Sequence, residues 1–376
     1  MIPLSLYIHI PWCVRKCPYC DFNSHQARDE VPEQRYIEAL MADLDQELTL
    51  TDARECQSIF IGGGTPSLFS ADGLQQILDG VRARLTLASD VEITMEANPG
   101  TFEQARFAGF RAAGVNRLSL GVQSFDNDAL QALGRIHNAS DAQSAFERAR
   151  EIGFDNINID LMHGLPGQTL ELARGDLLKA IALGPEHLSW YQLTIEPNTE
   201  FHARPPNLPV DEMLWDIQEM GWQLLASAGY QQYEISAYAR PGCRARHNLN
   251  YWQFGDYIGI GAGAHGKVTA RSGEVMRRWK LRQPKAYMDA TDKLSGQQRV
   301  AREELPFEFM MNALRLHEGV PCTLFAERTG MPLAVIEPLI EQARNRGLLV
   351  DDADTLAPTS QGRLFLNDLL AMFLDE

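Results

Sequence analysis

The sequence predicts an α/β fold, a partial (β/α)6 TIM-like barrel followed by a small, mainly helical, winged-helix-like C-terminal domain. Three observations predict it. Strand-length apolar runs alternate with helical patterns over the first two-thirds of the chain, chemistry-bearing residues gather just after those runs, and the pattern changes after about residue 230. The runs are Leu4–Ile10, Ser58–Ile61, Val91–Glu96, Asn116–Val122, Asn156–Leu161 and His187–Leu193. Helical patterns separate them at Gln34–Leu48, Ala71–Leu85, Phe102–Ala113, Asp141–Ile152 and Leu170–Leu183. Near-continuous apolar runs are the mark of a parallel sheet buried on both faces. Right-handed crossovers close such units into a barrel or part of one. A doubly wound open sheet fits the periodicity almost as well. The motifs break the tie, because each sits at a strand C-terminus: Cys13, Gly62-Gly63-Gly64-Thr65-Pro66, Glu96-Ala97-Asn98-Pro99, Gln123, Asp160 to Pro166, and Glu196-Pro197. Chemistry collected at one rim belongs to barrel enzymes.

Residues 1–235 are therefore read as the barrel, 236–302 as a basic connecting region and 303–376 as the C-terminal domain. The connecting region carries ten Lys and Arg between residues 240 and 285 against Asp256 and Glu274, within a chain of net charge -16. It also holds a Gly-rich run, Gly255 to Gly266, and the segment His247-Asn248-Leu249-Asn250-Tyr251-Trp252. The last domain shows helical segments at Pro306–Leu316, Cys322–Thr329, Leu333–Gly347 and Ser360–Phe373, in an order that resembles a winged helix. Its thirteen acidic side chains against five basic ones argue against DNA as its partner. The acidic total argues against nucleic acid for the whole chain, because a phosphate backbone selects clustered Lys and Arg. The sequence shows no run of about 18 apolar residues and no secretory signature, so the expected location is the cytoplasm.

Of six cysteines, Cys56, Cys243 and Cys322 are scattered, whereas Cys13, Cys17 and Cys20 fall within eight residues. A reducing compartment keeps such thiols free, and their clustering asks for a metal. The spacing C-x3-C-x2-C lets three thiolates grip one compact polynuclear centre. A fully ligated four-iron cluster takes four cysteines, and the next reachable position, Phe22, cannot ligate. One iron would stay open, which is the arrangement of a reactive site. A zinc knuckle completed by His9 or His25 is the plainer alternative.

The cysteine spacing resembles the radical S-adenosylmethionine (radical SAM) signature. Tyr7-Ile8-His9-Ile10-Pro11-Trp12-Cys13, Gly62 to Pro66, Gly121-Val122-Gln123-Ser124-Phe125 and Asn158-Ile159-Asp160-Leu161 resemble the oxygen-independent coproporphyrinogen III oxidase branch of that superfamily. Two features are similar to its HemW haem chaperone subgroup: the cluster loop ends C-x-F at Cys20 and Phe22, and H-N-x-x-Y-W stands at His247 to Trp252. The first strand also begins at Leu4, leaving no room for the N-terminal extension of the oxidases. The resemblance implies a [4Fe-4S] cluster on Cys13, Cys17 and Cys20, with SAM chelating the open iron and an electron from the cluster cleaving its sulfonium bond. It implies SAM contacts at Tyr7, Phe22, Gly63, Gly64, Thr65, Glu96, Gln123, Arg135, Asp160 and Thr194. Arg135 suits a carboxylate through its planar fork, and Glu96 and Asp160 suit an ammonium or ribose hydroxyls.

The same resemblance implies a haem chaperone, with His247 as the haem ligand and Tyr251 and Trp252 as stacking partners. His265 and His163 are lesser candidates, and a structural hydrogen-bond knot at His247 is the competing reading. Arg240, Arg244, Arg246, Arg277, Arg278 and Lys280 are candidates to clamp the haem propionates or an acidic partner, against a cationic face that merely balances acidic neighbours. The implied acceptors are respiratory haem proteins, and with them a transient contact with the inner membrane surface; homodimer formation stays open. The alternative function is a true oxidase that decarboxylates coproporphyrinogen III.

Overall fold

The computed structural model describes residues 2–27 and 30–374. Its main sheet has twelve strands: β1 (Leu4–Ile10), β2 (Cys56–Gly63), β3 (Leu87–Ala97), β4 (Arg117–Gln123), β5 (Ile157–His163), β6 (His187–Gln192), β7 (Gln231–Gln232), β8 (Ala237–Ala239), β9 (Asp256–Ile260), β10 (His265–Thr269), β11 (Val275–Lys280) and β12 (Leu294–Arg299). Their order is β12-β11-β10-β9-β1-β2-β3-β4-β5-β6-β8-β7. Strands β1 to β6 are neighbours in sequence order and all parallel, with no reversal of the winding direction. That is half of a barrel's logic carried through without closure, since β12 and β7 form free edges.

The apolar runs form these strands because both sheet faces are covered. Leu4, Leu6, Ile8 and Ile10 of β1 are buried together with Ile59 and Ile61 of β2 and Leu118, Leu120 and Val122 of β4. Helices Glu33–Glu47, Ala71–Arg82, Ala139–Ile152 and Leu170–Leu183 supply the outer layer. Their ends are locally coded. Asn138 accepts from Ser140 and Asp141 N–H while Asp141 answers the Asn138 N–H, a reciprocal cap. Thr169 caps the next helix through Leu172 N–H. The segment read as one helix from Phe102 to Ala113 is two, Thr101–Gln104 and Phe107–Ala113.

The basic connecting region adds β8 to β12 to the same sheet, and β9 pairs in parallel with β1 on the side opposite β2, Leu4 facing Asp256 and Ile8 facing Ile260. Its glycines concealed the strand. At Gly259 a Cβ would stand 2.0 Å from the His265 carbonyl oxygen, so only glycine allows the β9–β10 approach.

The C-terminal residues pack a second core around Phe309, Met310, Phe325, Ile340 and Leu369. The segment read as one helix over Leu333–Gly347 is a short 3-10 turn, Leu333–Val335, then a helix Glu337–Asn345. Pro338 explains the restart, because proline is tolerated in a first helical turn and not inside a continuous helix. Among the described residues no helix is long and apolar enough to cross a membrane.

Candidate functional site

The C-terminal ends of β1 to β6 surround a cavity of about 440 Å³. Its upper wall is the cysteine loop. Trp12–Cys13 pairs with His25–Gln26 as a two-stranded clip, and His25 N–H to the Pro11 carbonyl (2.7 Å) and Ala27 N–H to the Cys13 carbonyl (2.9 Å) close its base. Inside the clip, Lys16 Nζ donates to the Phe22 and Ser24 carbonyls. Cys13, Cys17 and Cys20 are free thiols and all three line the cavity. Burial pushes the Cys13 and Cys20 thiols up, opposed by hydrogen bonds from Thr65 and Ser24 on Cys13 and from Ser24 on Cys20. Among the described residues no three His, Cys, Asp or Glu side chains converge tightly enough to hold a single metal ion. The thiols border a larger shared void, which suits a polynuclear centre better than a zinc knuckle. His9 is engaged elsewhere, its ring bonded to Tyr7 Oη at 2.9 Å and the Asn23 carbonyl at 2.9 Å.

The opposite wall is polar and half-buried. Glu96 accepts from Gly63 N–H at 3.0 Å and has no cationic partner among the described residues. Burial first, then the Asp160 carboxylate, pushes its pKa up to about 8. Burial likewise raises Asp160, against hydrogen bonds from Asn158 (2.7 Å) and Ser119 (3.2 Å). Two carboxyls held this way are suited to a ligand that brings a positive charge or hydroxyl donors. Arg135 lines the same cavity. Its guanidinium is 3.7 Å from Cys17 Sγ and donates to Asn98 Oδ1 (2.5 Å) and the Gly121 carbonyl (2.7 Å). Gln123 accepts from Tyr191 Oη at 2.8 Å and holds a positive φ of 70°, a strained conformation for a non-glycine residue that aims it into the cavity.

The glycine run does a second job besides close approach. A Cβ on Gly63 would strike the His9 ring at 2.5 Å, and one on Gly64 would strike the Trp12 carbonyl at 2.5 Å. The run thus lets β2 press against the cysteine clip, and Thr65 N–H and Gly64 N–H bond to the Trp12 and Ile10 carbonyls at 2.7 Å.

Of the residues singled out in the sequence, this cavity gathers Cys13, Cys17, Cys20, Phe22, Gly63, Gly64, Thr65, Glu96, Gln123, Arg135 and Asp160. Tyr7 stands in an adjoining cavity of about 430 Å³, which shares Phe22, Gly63 and Glu96 and also contains His265. Thr194 is exposed, bonded to Glu196 at 3.0 Å, and lies outside both walls. The wall also takes in Tyr19, Ser119, Tyr191 and Arg315, which no motif marks, and Asn98 and Asn158, which stand in motifs beside Glu96 and Asp160. Asn98 follows the end of β3, so rim position marks it, whereas Ser119 and Asn158 lie toward the beginnings of β4 and β5, deeper in the barrel, where only the fold brings them to the cavity.

His247 is placed otherwise. It opens a short helix, Arg246–Trp252, whose first N–H groups are bonded by the Glu92 carboxylate. Its ring is buried, and burial drives its pKa down to about 3. Nδ1 meets Ser58 Oγ at 3.0 Å, Nε2 meets Tyr251 Oη at 2.8 Å, and one face lies against Phe60. Both nitrogens are used, so in this arrangement the residue is a knot joining the helix to β2, and an iron there would have to displace Ser58 or Tyr251. His163 is buried against Trp190.

The basic side chains are also paired internally, which supports the alternative of charges that balance acidic neighbours. Arg244 pairs with Glu318, Arg246 with Asp90, Arg277 with Glu308, and Arg278 with Glu47. Lys280 is buried between Asp43 (2.5 Å) and Glu47 (2.6 Å). Arg240 donates to the Pro185 carbonyl and lies over Tyr230. Arg278 and Lys280 tie β11 to the acidic face of the Glu33–Glu47 helix, Arg246 meets Asp90 of β3, and Arg244 and Arg277 reach Glu318 and Glu308 of the C-terminal domain.

An incomplete parallel barrel with three clustered thiols at its C-terminal rim is the architecture of the radical SAM superfamily. Accordingly, the family model described as Radical SAM superfamily matches residues 7–175, and that of the HemN C-terminal domain matches residues 300–365. Heme chaperone HemW of Escherichia coli K12 is 57% identical over 374 residues, covering 100% of this chain and 99% of the relative. The protein of the same name from Haemophilus influenzae is 53% identical, covering 100% and 98%, and that of Bacillus subtilis 37%, covering 99% of each. The chain belongs to the HemW heme chaperone family. The solved coproporphyrinogen III oxidase HemN of Escherichia coli superposes with a TM-score of 0.83, covering 99% of this chain and 90% of that one at 24% identity, which establishes the shared fold.

Proposed function

We propose that this protein is a haem chaperone that carries a [4Fe-4S] cluster and SAM at the barrel rim and delivers haem to acceptor proteins. The observation that carries the reading is full-length identity of 57% to a named haem chaperone, joined to a cavity lined by three free thiols and two half-buried carboxyls. Cys13, Cys17 and Cys20 would ligate the cluster, with Arg135 beside Cys17 offsetting thiolate charge. Glu96, Gln123, Arg135 and Asp160 would receive SAM, the carboxyls taking its ammonium or ribose hydroxyls and Arg135 its carboxylate. Gly63, Gly64 and Thr65 hold β2 close enough for the two groups to meet. Tyr7 and Phe22 would border the nucleotide from the adjoining side, and Thr194 would join only if the segment after β6 closes over it. When bound, the cluster supplies one-electron chemistry; the protein's part is to hold, orient and desolvate.

The acceptors would be respiratory haem proteins, met from the cytoplasm at the inner membrane surface by one copy of the chain or by a pair. The test is anaerobic reconstitution with iron, sulfide and haem, followed by transfer to an apo-haem protein with and without SAM. Haem uptake and transfer without conversion of coproporphyrinogen III is the expected result. Steady protoporphyrinogen formation would replace this reading with the oxidase.

A further inference from the structure

A second cavity, of about 330 Å³, lies between the barrel edge at β7 and the C-terminal domain. Small-molecule sites typically fall in the range of about 300–1,000 Å³. Its walls are mainly apolar: Trp222 and Ile235 from the barrel side, Leu314, Leu364 and Leu366 from the domain. Ile235 and Leu364 are 40% and 51% exposed at its lips, so an apolar ligand seated in the cavity would cover both.

Two polar side chains in this wall lack the partners found elsewhere in the molecule. His317 has its main-chain N–H bonded to the Tyr233 carbonyl at 3.0 Å, yet its ring has no hydrogen bond among the described residues. Arg363 donates to Ser360 Oγ at 3.2 Å and pairs with no carboxylate among the described residues. The contrast with His247, whose two nitrogens are engaged, and with Arg244, Arg246, Arg277 and Arg278, all ion-paired, is direct. Burial, then the Arg363 charge, lowers the His317 pKa to about 4, so its imidazole is neutral and available to a metal at pH 7.

A flat apolar ring, a metal that accepts a neutral imidazole, and an appended carboxylate make up the ligand this wall complements. We propose that the cavity holds the haem cargo, with His317 as an axial ligand of the iron and Arg363 paired to a propionate. The proposal rests on the haem chaperone reading above. Arg315 belongs to both this wall and the cluster cavity, its guanidinium 4.2 Å from the Trp252 ring centroid, so the two cavities adjoin at this side chain.

The test is titration of the purified chain with ferric haem, reading Soret position and dissociation constant, for wild type, His317→Ala, Arg363→Gln, Leu364→Asp and His247→Ala. Leu364 is exposed, so its substitution addresses the cavity without threatening the fold. The expected result is a shifted Soret band in wild type and His247→Ala, its loss in His317→Ala, and affinity at least about tenfold weaker in Arg363→Gln and Leu364→Asp. Haem binding by wild type that His317→Ala and Leu364→Asp leave unaltered overturns this site and spares the chaperone reading. Wild type that takes up no haem overturns the chaperone reading itself. Self-association abolished by Leu364→Asp, with haem binding unchanged, gives the groove to a second copy and also overturns the proposal.

Discussion

The cysteine loop and the basic stretch after residue 240 both announce a bound group in the sequence, and the folded chain treats them in opposite ways. Around the loop, thiols and carboxyls face a void: Cys13, Cys17 and Cys20 are free, and Glu96 is half-buried with no cation paired to it among the described residues. In the basic stretch, polar groups face one another: Asp256 alone receives Arg54 at 2.7 Å, Lys267 at 2.9 Å and Thr269 Oγ1 at 2.8 Å. The difference teaches that charge composition marks where polar groups lie, while their pairing decides whether they hold the protein or a ligand.

The sharpest way to break the comparison is at the thiols. Cys17→Ala should reduce reconstituted iron from about four per chain to near zero, whereas Cys243→Ser should retain it; iron and sulfide assays decide. The paired region should instead respond in stability. Asp256→Ala leaves Lys267 and Arg54 buried without their anion and should cost about 3–5 kcal/mol in denaturant unfolding, with cluster content unchanged in the fraction that folds. His247→Ala removes two buried hydrogen bonds and should cost about 1–3 kcal/mol by the same measurement.

A smaller, pH-dependent effect sharpens the account of the cavity. Glu96 rises from its ordinary 4.5 to about 8 on folding, so the folded state prefers it protonated. Its contribution is therefore fully present below pH 4.5 and is lost as pH climbs toward 8. Glu96→Gln should gain stability relative to wild type between pH 5 and 9 in paired unfolding curves, while weakening SAM binding. A gain that does not grow with pH would mean the carboxyl is not held as described. The smallest effect is expected at Arg246, whose pair with Asp90 is half-exposed: Arg246→Ala should change stability by less than about 1 kcal/mol and leave haem binding unaltered.

Much of this was legible in the chain. The six strand–helix units, the rim position of the motifs and the cysteine trio follow from local patterns, since parallel strands buried on both faces must be apolar throughout and tight clips need glycine. Asn138 and Thr169 specify their own helix starts. Other parts were out of reach. Strand β9 lies in a Gly-rich run with no strand pattern of its own, and its neighbour, β1, is some 250 residues away, as the pairing of Leu4 with Asp256 shows. The motif leaves His247 open between a haem ligand and a structural knot, and its hydrogen bonds to Ser58 and Tyr251 exist only once β2 and the helix meet.

By itself, then, the sequence determined the barrel's element order and the chemistry available at its rim, because hydrophobic period, caps and cysteine spacing act over a few residues. Only the tertiary structure decided which charges are spent on each other and which stay free to bind. Pairing energies depend on distance and burial between groups far apart in the chain, and no local pattern records either.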